Sequence, residues 1–207
     1  MIIYGASGHA KVILDILNQC GIKQFQFIDD VLKEDWFYGE VMSPDKIDFL
    51  SEPLGIIAIG SNKQRKNISL KYNINYQRVI HPQSILAIPH SFIGLGTVIM
   101  AGVVVNPEVR IGKHVILNTS CSIDHECILE DFVHVSPNAT LCGKVFVSEG
   151  AHIGAGAVVI QGIKIGKWCT IGAGSVVIRD VPDFATVVGN PARVLRIESE
   201  NKGIIDL

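Results

Sequence analysis

The sequence is poor in charge and contains no long apolar run. Its 18 lysines and arginines nearly balance 20 aspartates and glutamates, so the formal net charge is −2, and 18% of the residues are charged. Nothing in this composition indicates a surface for nucleic acids or anionic membranes, which are bound through clustered basic side chains. The apolar runs are shorter than the roughly 20 residues that span a bilayer, and no basic segment followed by an apolar one indicates a signal peptide.

Two further absences limit the compartment and the ligands that the protein can have. The five cysteines are too few and odd in number for a complete disulfide framework, so we expect a cytoplasmic protein in a reducing compartment. A dinucleotide fingerprint is also missing, because two residues separate Gly5 from Gly8 where the G-x-G-x-x-G pattern has one. The sequence therefore argues against an NAD site.

A strict period of six runs through the second half of the chain. Between Ile93 and Val177 every sixth residue is Ile, Val or Leu, with no insertion that resets the phase. The residue four positions later is mostly small or branched at the β-carbon, and the residue directly after each aliphatic is often a turn former such as Gly94 or Asn106. Three cysteines occupy small positions, where cysteine acts as a small hydrophobe: Cys121, Cys127 and Cys169.

This period fits neither an α-helix nor an alternating strand. It is typical of a β-helix of hexapeptide repeats, in which the aliphatic and the small residue point into a narrow core. Three hexapeptides would make one coil of 18 residues, and coils would stack about 4.8 Å apart, the usual strand spacing. The sequence therefore predicts a parallel β-helix in residues 81–207.

Residues 1–80 predict a small α/β domain instead. Apolar strands are expected at 1–4, 24–28 and 54–59, and a helix at 63–71. An earlier helix would end at Cys20-Gly21, with one face formed by Val12, Ile13, Ile16 and Leu17. This β-α-β order forms a parallel, Rossmann-like sheet.

Ligands of such sheets bind at the carboxyl ends of the strands. Those ends carry Gly5–His9, Asp29-Asp30 and Gly60–Asn62. Glycines permit close backbone approach, and a helix N-terminus offers free N–H groups to a phosphate. The pattern predicts a site for a nucleotide-linked ligand, although glycines at these points could also serve only tight turns.

His125 is the main candidate for a catalytic base. It lies between two inward positions and should face outward, with Asp124 and Glu126 beside it. A nearby carboxylate orients an imidazole and raises its basicity, as a general base near neutral pH requires. His134 should also face outward, with His152 stacked one coil later.

Two other interpretations of these histidines are open. Each could be an ordinary surface histidine. Three histidines could also bind zinc at a subunit boundary, but the sequence has no close histidine pair of the kind a metal site favours. We therefore expect no metal.

Several segments together resemble one family of sugar acetyltransferases. They are Gly5-Ala6-Ser7-Gly8-His9, Asp29-Asp30, Ile59-Gly60-Ser61-Asn62, Asn118-Thr119-Ser120, His125-Glu126-Cys127 and His134-Val135-Ser136. The family includes sialic-acid O-acetyltransferases and UDP-amino-sugar N-acetyltransferases. The likeness is greatest to bacterial acetyl-CoA-dependent enzymes that acetylate the 4-amino group of a UDP-linked 4-amino-4,6-dideoxy sugar, as in bacillosamine synthesis, and it spans nearly the whole chain.

The resemblance implies a left-handed β-helix that assembles as a homotrimer with active sites between subunits. It implies that His125 is the base and Glu126 its partner. The residues implied to hold the nucleotide-sugar are Ser7, Gly8, His9, Asp29, Asp30, Gly60 and Asn118. Those implied to contact acetyl-CoA are His134 and the backbone at Ala155 and Ala173. The turn at 188–192 resembles a loop that lies near the coenzyme in hexapeptide acyltransferases.

We expect direct acetyl transfer without a covalent intermediate, because Cys121 and Cys127 should face the core and Cys142 has no base beside it in sequence. Gly143 follows His125 by 18 residues. It should lie one coil above the base, leave room for the thioester and offer its N–H to the oxyanion. Two alternatives are an O-acetyltransferase for sialic acid or another sugar hydroxyl, and a non-catalytic β-helical scaffold.

Overall fold

The N-terminal part is a parallel sheet with helices against it. The computed structural model describes residues 1–31, 36–87 and 91–199. The sheet has the order β3-β2-β1-β4-β5. Its strands are β1 (Ile2–Tyr4), β2 (Gln26–Ile28), β3 (Val41–Met42), β4 (Leu54–Ile57) and β5 (Asn75–Tyr76). The helices are α1 (Gly8–Gln19), α2 (Asn62–Lys71) and two 3₁₀ turns at Pro44–Lys46 and Phe49–Ser51.

The predicted helices and strands are present, with shorter strands. The face of α1 differs in one residue from the prediction, because Val12 is 40% exposed. The buried side chains of α1 are Ala10, Ile13, Leu14, Ile16 and Leu17. Ala10 and Leu14 complete an i, i+3, i+4 stripe with Ile13 and Leu17.

The second part is a left-handed parallel β-helix, as predicted. Its strands form three faces. The first face contains Val79–Ile80, Val98–Ile99, Ile116–Leu117, His134–Val135, His152–Ile153, Thr170–Ile171, Ala185–Val188 and Arg193–Ile197. The second contains Ile85–Leu86, Val104–Val105, Ser122–Ile123, Thr140–Leu141, Val158–Val159 and Val176–Val177. The third contains Phe92–Ile93, Arg110–Ile111, Ile128–Leu129, Phe146–Val147 and Lys164–Ile165.

The coil contains 18 residues. Val104 pairs with Ser122, and Ser122 pairs with Thr140, in parallel register. All the six-residue aliphatic positions from Ile93 to Val177 are buried, and so are the small positions four residues later. The prediction of a continuous core is therefore confirmed, including the three cysteines placed in it.

The turns depend on a position that the sequence pattern did not single out. The third residue after each core aliphatic from Ile93 to Ile171 has a positive φ, as turns of this backbone geometry have. The glycines at these sites are Gly96, Gly102, Gly150, Gly156, Gly162 and Gly174; the other residues are Glu108, His114, Ser120, Glu126, Phe132, Asn138, Lys144 and Trp168. Because eight of these fourteen residues are not glycine, composition alone does not reveal the turn.

We name three corners by the faces they join. The first corner (118–120 and its repeats at 136–138, 154–156 and 172–174) joins the first and second faces. The second corner (124–126, 142–144) joins the second and third faces, and the third corner (112–114, 130–132, 148–150, 166–168) joins the third and first faces.

The N-terminal domain covers the lower half of the first face. The outward side chains of Val98, Met100 and Ile116 share one buried cluster with α1 and the N-terminal sheet. The strand Val79–Ile80 already belongs to the β-helix, because it pairs with Val98–Ile99. A boundary near residue 80 remains a prediction.

A hairpin closes the other end of the β-helix. The strand Ala185–Val188 continues the first face in parallel, and Arg193–Ile197 returns antiparallel to it. The turn between them is held to the last coil by the Ala192 N–H, which donates to the Val176 carbonyl at 2.8 Å. The hairpin thereby closes the end of the first face.

Two glycines at equivalent turn positions give a matched test of the corner packing. Gly150 and Gly162 have φ of +68° and +74°, but a Cβ on Gly150 would meet the Trp168 ring at 2.3 Å, whereas one on Gly162 would meet nothing within 4 Å. We expect Gly162→Ala to cost about 1 kcal/mol for its left-handed backbone, and Gly150→Ala about 1–3 kcal/mol more from overpacking. Urea unfolding at one protein concentration measures both. Equal losses would contradict the packing argument.

Candidate active site

The first strand-end loop requires glycine at its first position. Gly5 has a φ of +115°, and a Cβ there would lie 2.7 Å from the Ile59 side chain and 2.9 Å from the Ala58 carbonyl. A Cβ on Gly8, the first residue of α1, would meet nothing within 4 Å. Ser7 occupies the N-cap of α1 without making a side-chain cap. The Ser7 side chain therefore accepts no hydrogen bond from the first N–H groups of this helix.

The two aspartates that follow β2 have different local partners. The Asp29 carboxylate accepts from the Ala6 N–H at 2.8 Å and from the Val31 N–H at 3.0 Å, so it joins the loops after β1 and β2. The Asp30 carboxylate accepts from the buried Tyr4 hydroxyl at 3.0 Å, and burial raises the pKa of Tyr4. Both aspartates lie at the predicted strand end, and each keeps oxygen lone pairs for a ligand.

Arg65 connects the third strand-end loop to the β-helix, and the sequence analysis missed it. This α2 side chain is 1% exposed. Its guanidinium donates to the carbonyls of Ile59, Gly60, His114 and Phe132 and to the Asn62 side chain, at 2.8–3.2 Å. We call residues 59–62 the Gly60 loop. A basic residue in a polar helix resembles a solvent-exposed residue, so sequence carried no signal for its burial.

His134 is held by partners from both parts of the molecule. Asn118 Oδ1 accepts from the Thr119 N–H at 2.8 Å, which directs its amide NH₂ to His134 Nε2 at 3.2 Å. The Gly60 carbonyl from the N-terminal domain lies close enough to the ring to act on the pKa of His134. Since Nε2 accepts from Asn118, the other ring nitrogen carries the proton of the neutral imidazole.

The prediction that His134 and His152 stack is confirmed. Their ring centroids are 4.8 Å apart with an interplanar angle of 8°. Ser136 Oγ lies 2.8 Å from His152 Nε2, in the same relation that Asn118 has to His134 one coil below. His134 is half-buried, because the Gly60 loop of the N-terminal domain lies beside it on this face.

Burial keeps these imidazoles neutral. Desolvation, followed by the charges of His152 and Arg65, lowers the pKa of His134 to about 3. Desolvation and then Arg65 lower the pKa of His9 to about 4, and they also lower that of His152. His9 Nε2 is buried without a hydrogen-bond partner among the described residues, so a ligand could satisfy it.

A cleft of about 500 Å³ opens between the Gly60 loop and the upper half of the first face. It is lined by His134, His152, Trp168, Thr170 and Glu198 together with the Gly60 loop. Gly60 itself has open space around its α-carbon, since a Cβ there would meet nothing within 4 Å. The cleft therefore combines neutral imidazoles with an open backbone edge.

His125 lies at the second corner. Its Nδ1 is 2.9 Å from Glu126 Oε2, and Lys144 Nζ is 3.5 Å from the other Glu126 oxygen. The hydrogen bond to His125, helped by Lys144, lowers the pKa of Glu126. Asp124, held by Asn106, accepts from the His125 N–H at 2.8 Å. The His125 side chain is 53% exposed.

Gly143 lies directly over the His125 ring. A Cβ on Gly143 would be 2.6 Å from His125 Cε1 and 2.7 Å from Nε2. Glycine is therefore the residue that lets the imidazole pack against this backbone, and the ring fills the space that a side chain would take. Within the described part of the chain, no backbone carbonyl accepts from the Gly143 N–H.

One chain does not bring His125 and His134 together. They are nine residues apart, which is half of an 18-residue coil, so His125 lies at the second corner and His134 on the opposite first face. Asn118, His134, Gly60 and His9 form one group, whereas His125, Glu126 and Gly143 form another. Ala155 and Ala173 are exposed in successive coils of the first corner, where Gly174 N–H donates to the Ala155 carbonyl at 2.8 Å.

Two kinds of feature are absent from the described ranges. No group of three or more His, Cys, Asp or Glu side chains in residues 1–31, 36–87 and 91–199 could hold a metal ion. In the same ranges no helix is both long and apolar enough to cross a membrane.

The coiled hexapeptide fold and its histidine–carboxylate pair define the β-helical acyltransferase class. The family model described as the PglD N-terminal domain matches residues 1–72, and that described as bacterial transferase hexapeptide (six repeats) matches residues 144–179. GDP-perosamine N-acetyltransferase of Escherichia coli O157:H7 is 33% identical over 158 residues, 70% of this chain and 71% of its own. The chain belongs to this family of nucleotide-sugar N-acetyltransferases and is an acetyl-CoA-dependent sugar N-acetyltransferase.

Two further relatives extend the comparison. UDP-N-acetylbacillosamine N-acetyltransferase of Bacillus subtilis (strain 168) is 39% identical over 109 residues, 48% of this chain and 50% of its own. A histidine mutant of perosamine N-acetyltransferase from Caulobacter crescentus, crystallised in complex with CoA and GDP-perosamine, has a TM-score of 0.88 at 33% identity. That comparison covers 93% of this chain and 95% of the other.

The low pKa of His134 makes stability depend on pH. Below about pH 6.5 the imidazole binds a proton in the unfolded state but not in the folded state. The free energy of unfolding should therefore decrease as the pH is lowered. His134→Gln removes this term and should reduce the loss between pH 6.5 and 5 by up to about 2 kcal/mol. Urea unfolding of both proteins at the two pH values measures it. The same pH dependence in variant and wild type would show that His134 is not held neutral.

Proposed function

We propose that this enzyme transfers acetyl from acetyl-CoA to the amine of a nucleoside diphosphate-linked 4-amino-4,6-dideoxy sugar, with UDP as the nucleotide. The observation that carries the proposal is the exposed His125–Glu126 pair, whose imidazole packs on the backbone of Gly143 one coil above. The pair supplies a base at an exposed corner of the β-helix, as attack of an amine on a thioester requires. The N-terminal strand ends supply the place for the nucleotide.

His125 is the general base in this mechanism. Its Nδ1 is engaged by Glu126, which leaves Nε2 as the atom that takes the proton from the attacking amine. The Gly143 N–H, one coil above, is the donor that stabilises the oxyanion of the tetrahedral intermediate. Collapse of that intermediate expels the CoA thiolate, which takes up a proton, and the amide product remains.

Transfer is direct. Burial raises the pKa of the Cys121 thiol to about 12 and that of Cys127 to about 11, and both side chains face the core. Neither thiol can reach a substrate or supply a thiolate near neutral pH. Positioning of two bound substrates then replaces a covalent intermediate.

The complete site lies between subunits of a homotrimer. The base lies at the second corner, and the cleft with the Gly60 loop lies on the opposite first face, so a single chain cannot bring both to one substrate. A second copy that sets its second corner against the first face completes the site. The N-terminal loops of one subunit then hold the nucleotide-sugar, and His134 with the backbone at Ala155 and Ala173 contacts acetyl-CoA.

A thiol-release assay with acetyl-CoA tests the reaction and its acceptor. The panel contains UDP-, GDP- and dTDP-linked 4-amino-4,6-dideoxy sugars, the matching 4-hydroxy sugars and free sialic acid. We expect turnover with amino sugars on a nucleotide, and mass spectrometry should show the gain of one acetyl group as an amide. Turnover confined to sialic acid or hydroxy sugars would overturn N-acetylation in favour of O-acetylation.

Removal of the base should nearly abolish catalysis. His125→Ala is expected to lower kcat/KM by roughly 10²-fold or more, since general base catalysis contributes about 10²–10⁴-fold. Glu126→Ala should cost less, because Glu126 orients the ring and transfers no proton. Steady-state kinetics measures both, with light scattering to show that assembly is unchanged. Near-normal turnover of His125→Ala would remove this residue as the base.

Mixed assemblies test whether the site is shared. His125→Ala lacks the base, and Gly60→Leu places a bulky side chain on the open side of the Gly60 loop, where a Cβ would meet nothing within 4 Å. Each variant alone should be inactive. Coexpression should restore activity, because some sites then combine an intact Gly60 loop from one subunit with His125 from its neighbour. Mixed trimers that form, by native mass spectrometry, yet stay inactive would contradict a shared site.

A further inference from the structure

Arg65 is a buried cation without a carboxylate partner among the described residues. Its guanidinium makes five hydrogen bonds, four of them to backbone carbonyls and one to the Asn62 amide oxygen. Burial lowers the pKa of Arg65 to about 9. Placing a charge in such a site is costly unless its geometry is well satisfied. An apolar side chain would fill the same volume without that cost, so packing alone does not explain an arginine.

The acceptors of Arg65 belong to two different parts of the molecule. Nη1 donates to the carbonyls of Ile59 and Gly60 in the loop after β4, at 3.1 and 3.2 Å. Nε and Nη2 reach the carbonyls of His114 and Phe132, which occupy the same turn position in successive coils of the third corner. The planar fork of arginine can satisfy acceptors in these several directions at once.

The Gly60 loop has little packing of its own. Gly60 has no neighbour within 4 Å of where a Cβ would lie. Ser61 is the exposed N-cap of α2, and its Oγ accepts from the Gln64 N–H at 3.4 Å. Asn62 donates to the carbonyls of Gly150 and Ala151 on the β-helix, at 3.0 and 3.3 Å. The Ile59 and Gly60 carbonyls accept from Arg65, so Arg65 holds the part of the loop that Ser61 and Asn62 do not.

We propose that Arg65 is a positioning residue for the acceptor substrate, which clamps the Gly60 loop onto the third corner and holds it in its binding conformation. The inference rests on the proposed function, because it assigns the loop to the nucleotide-sugar. Arg65 touches no substrate in this account. His134, which contacts the coenzyme, keeps Asn118 and His152 as partners on the β-helix when Arg65 is lost.

Lys66 provides a matched control on the same helix. It pairs with Glu149 and lies over the rings of Phe132 and Trp168, at 5.9 and 5.3 Å. It therefore docks α2 on the same corner of the β-helix, but its contacts do not include the Gly60 loop. Lys66→Met should loosen the docking of the helix without releasing the loop carbonyls.

The test measures KM for both substrates in Arg65→Met, Arg65→Lys and Lys66→Met. Both Arg65 variants should raise KM for the nucleotide-sugar about tenfold or more and leave KM for acetyl-CoA within about twofold. Lysine should not rescue, because a single ammonium cannot reach acceptors on both sides. Lys66→Met should leave both KM values near wild type. A wild-type KM in Arg65→Lys, or equal changes in the two KM values, would overturn the proposal.

Hydrogen exchange separates this inference from the proposed function. Amides of residues 59–62 should exchange faster in the Arg65 variants than in Lys66→Met, whether or not the substrate is correctly identified. If wild type shows no turnover with any nucleotide-sugar, the proposed function fails. The exchange experiment still measures whether Arg65 holds residues 59–62 in place. Unchanged exchange in Arg65→Lys, which carries the test if Arg65→Met does not fold, would overturn the clamp.

Discussion

The parallel register that pairs each strand residue with the one 18 positions later is the constraint on which the rest of this structure depends. It stacks equivalent residues in columns, so a side chain acquires its surroundings from its phase in the coil. One outward column runs from Val79 through Val98 and Ile116 to His134 and His152. Its apolar lower half receives the N-terminal domain, and its polar upper half lines the cleft. A single column therefore provides both domain docking and part of the site.

The core of the β-helix could be predicted from sequence because it depends only on this phase. Every inward position is occupied by a residue that a narrow apolar core accepts, and all of them are buried. The stacking of His134 on His152 and of Gly143 on His125 followed from the same count. The position of a residue in the coil does not show which other part of the molecule packs against that face. His134 is outward in phase, but the Gly60 loop of the N-terminal domain half-buries it, and no local pattern contains that information.

The same reason explains why Arg65 was missed. Its helix is polar, and nothing in the neighbouring sequence distinguishes it from Lys63 or Lys66. Its burial is a property of the contact between the two domains, which brings together carbonyls from residues 59, 60, 114 and 132. Tertiary contacts of this kind also lower the pKa of His9 and His134. The cleft consequently presents neutral imidazoles next to a permanent cation that is itself saturated with acceptors.

The uninterrupted 18-residue register also governs how the length of this chain can change. Adding or removing one hexapeptide would turn every later residue by a third of a coil, so that a column facing the N-terminal domain would pass to another face. A whole coil would preserve each column but lift its upper members by one strand spacing, about 4.8 Å. Only residues inserted as a bulge at a corner leave both phase and height intact. Variation in length between homologous β-helices is therefore expected at corners. The spacing of Gly143 above His125, and of His152 above His134, stays at one whole coil.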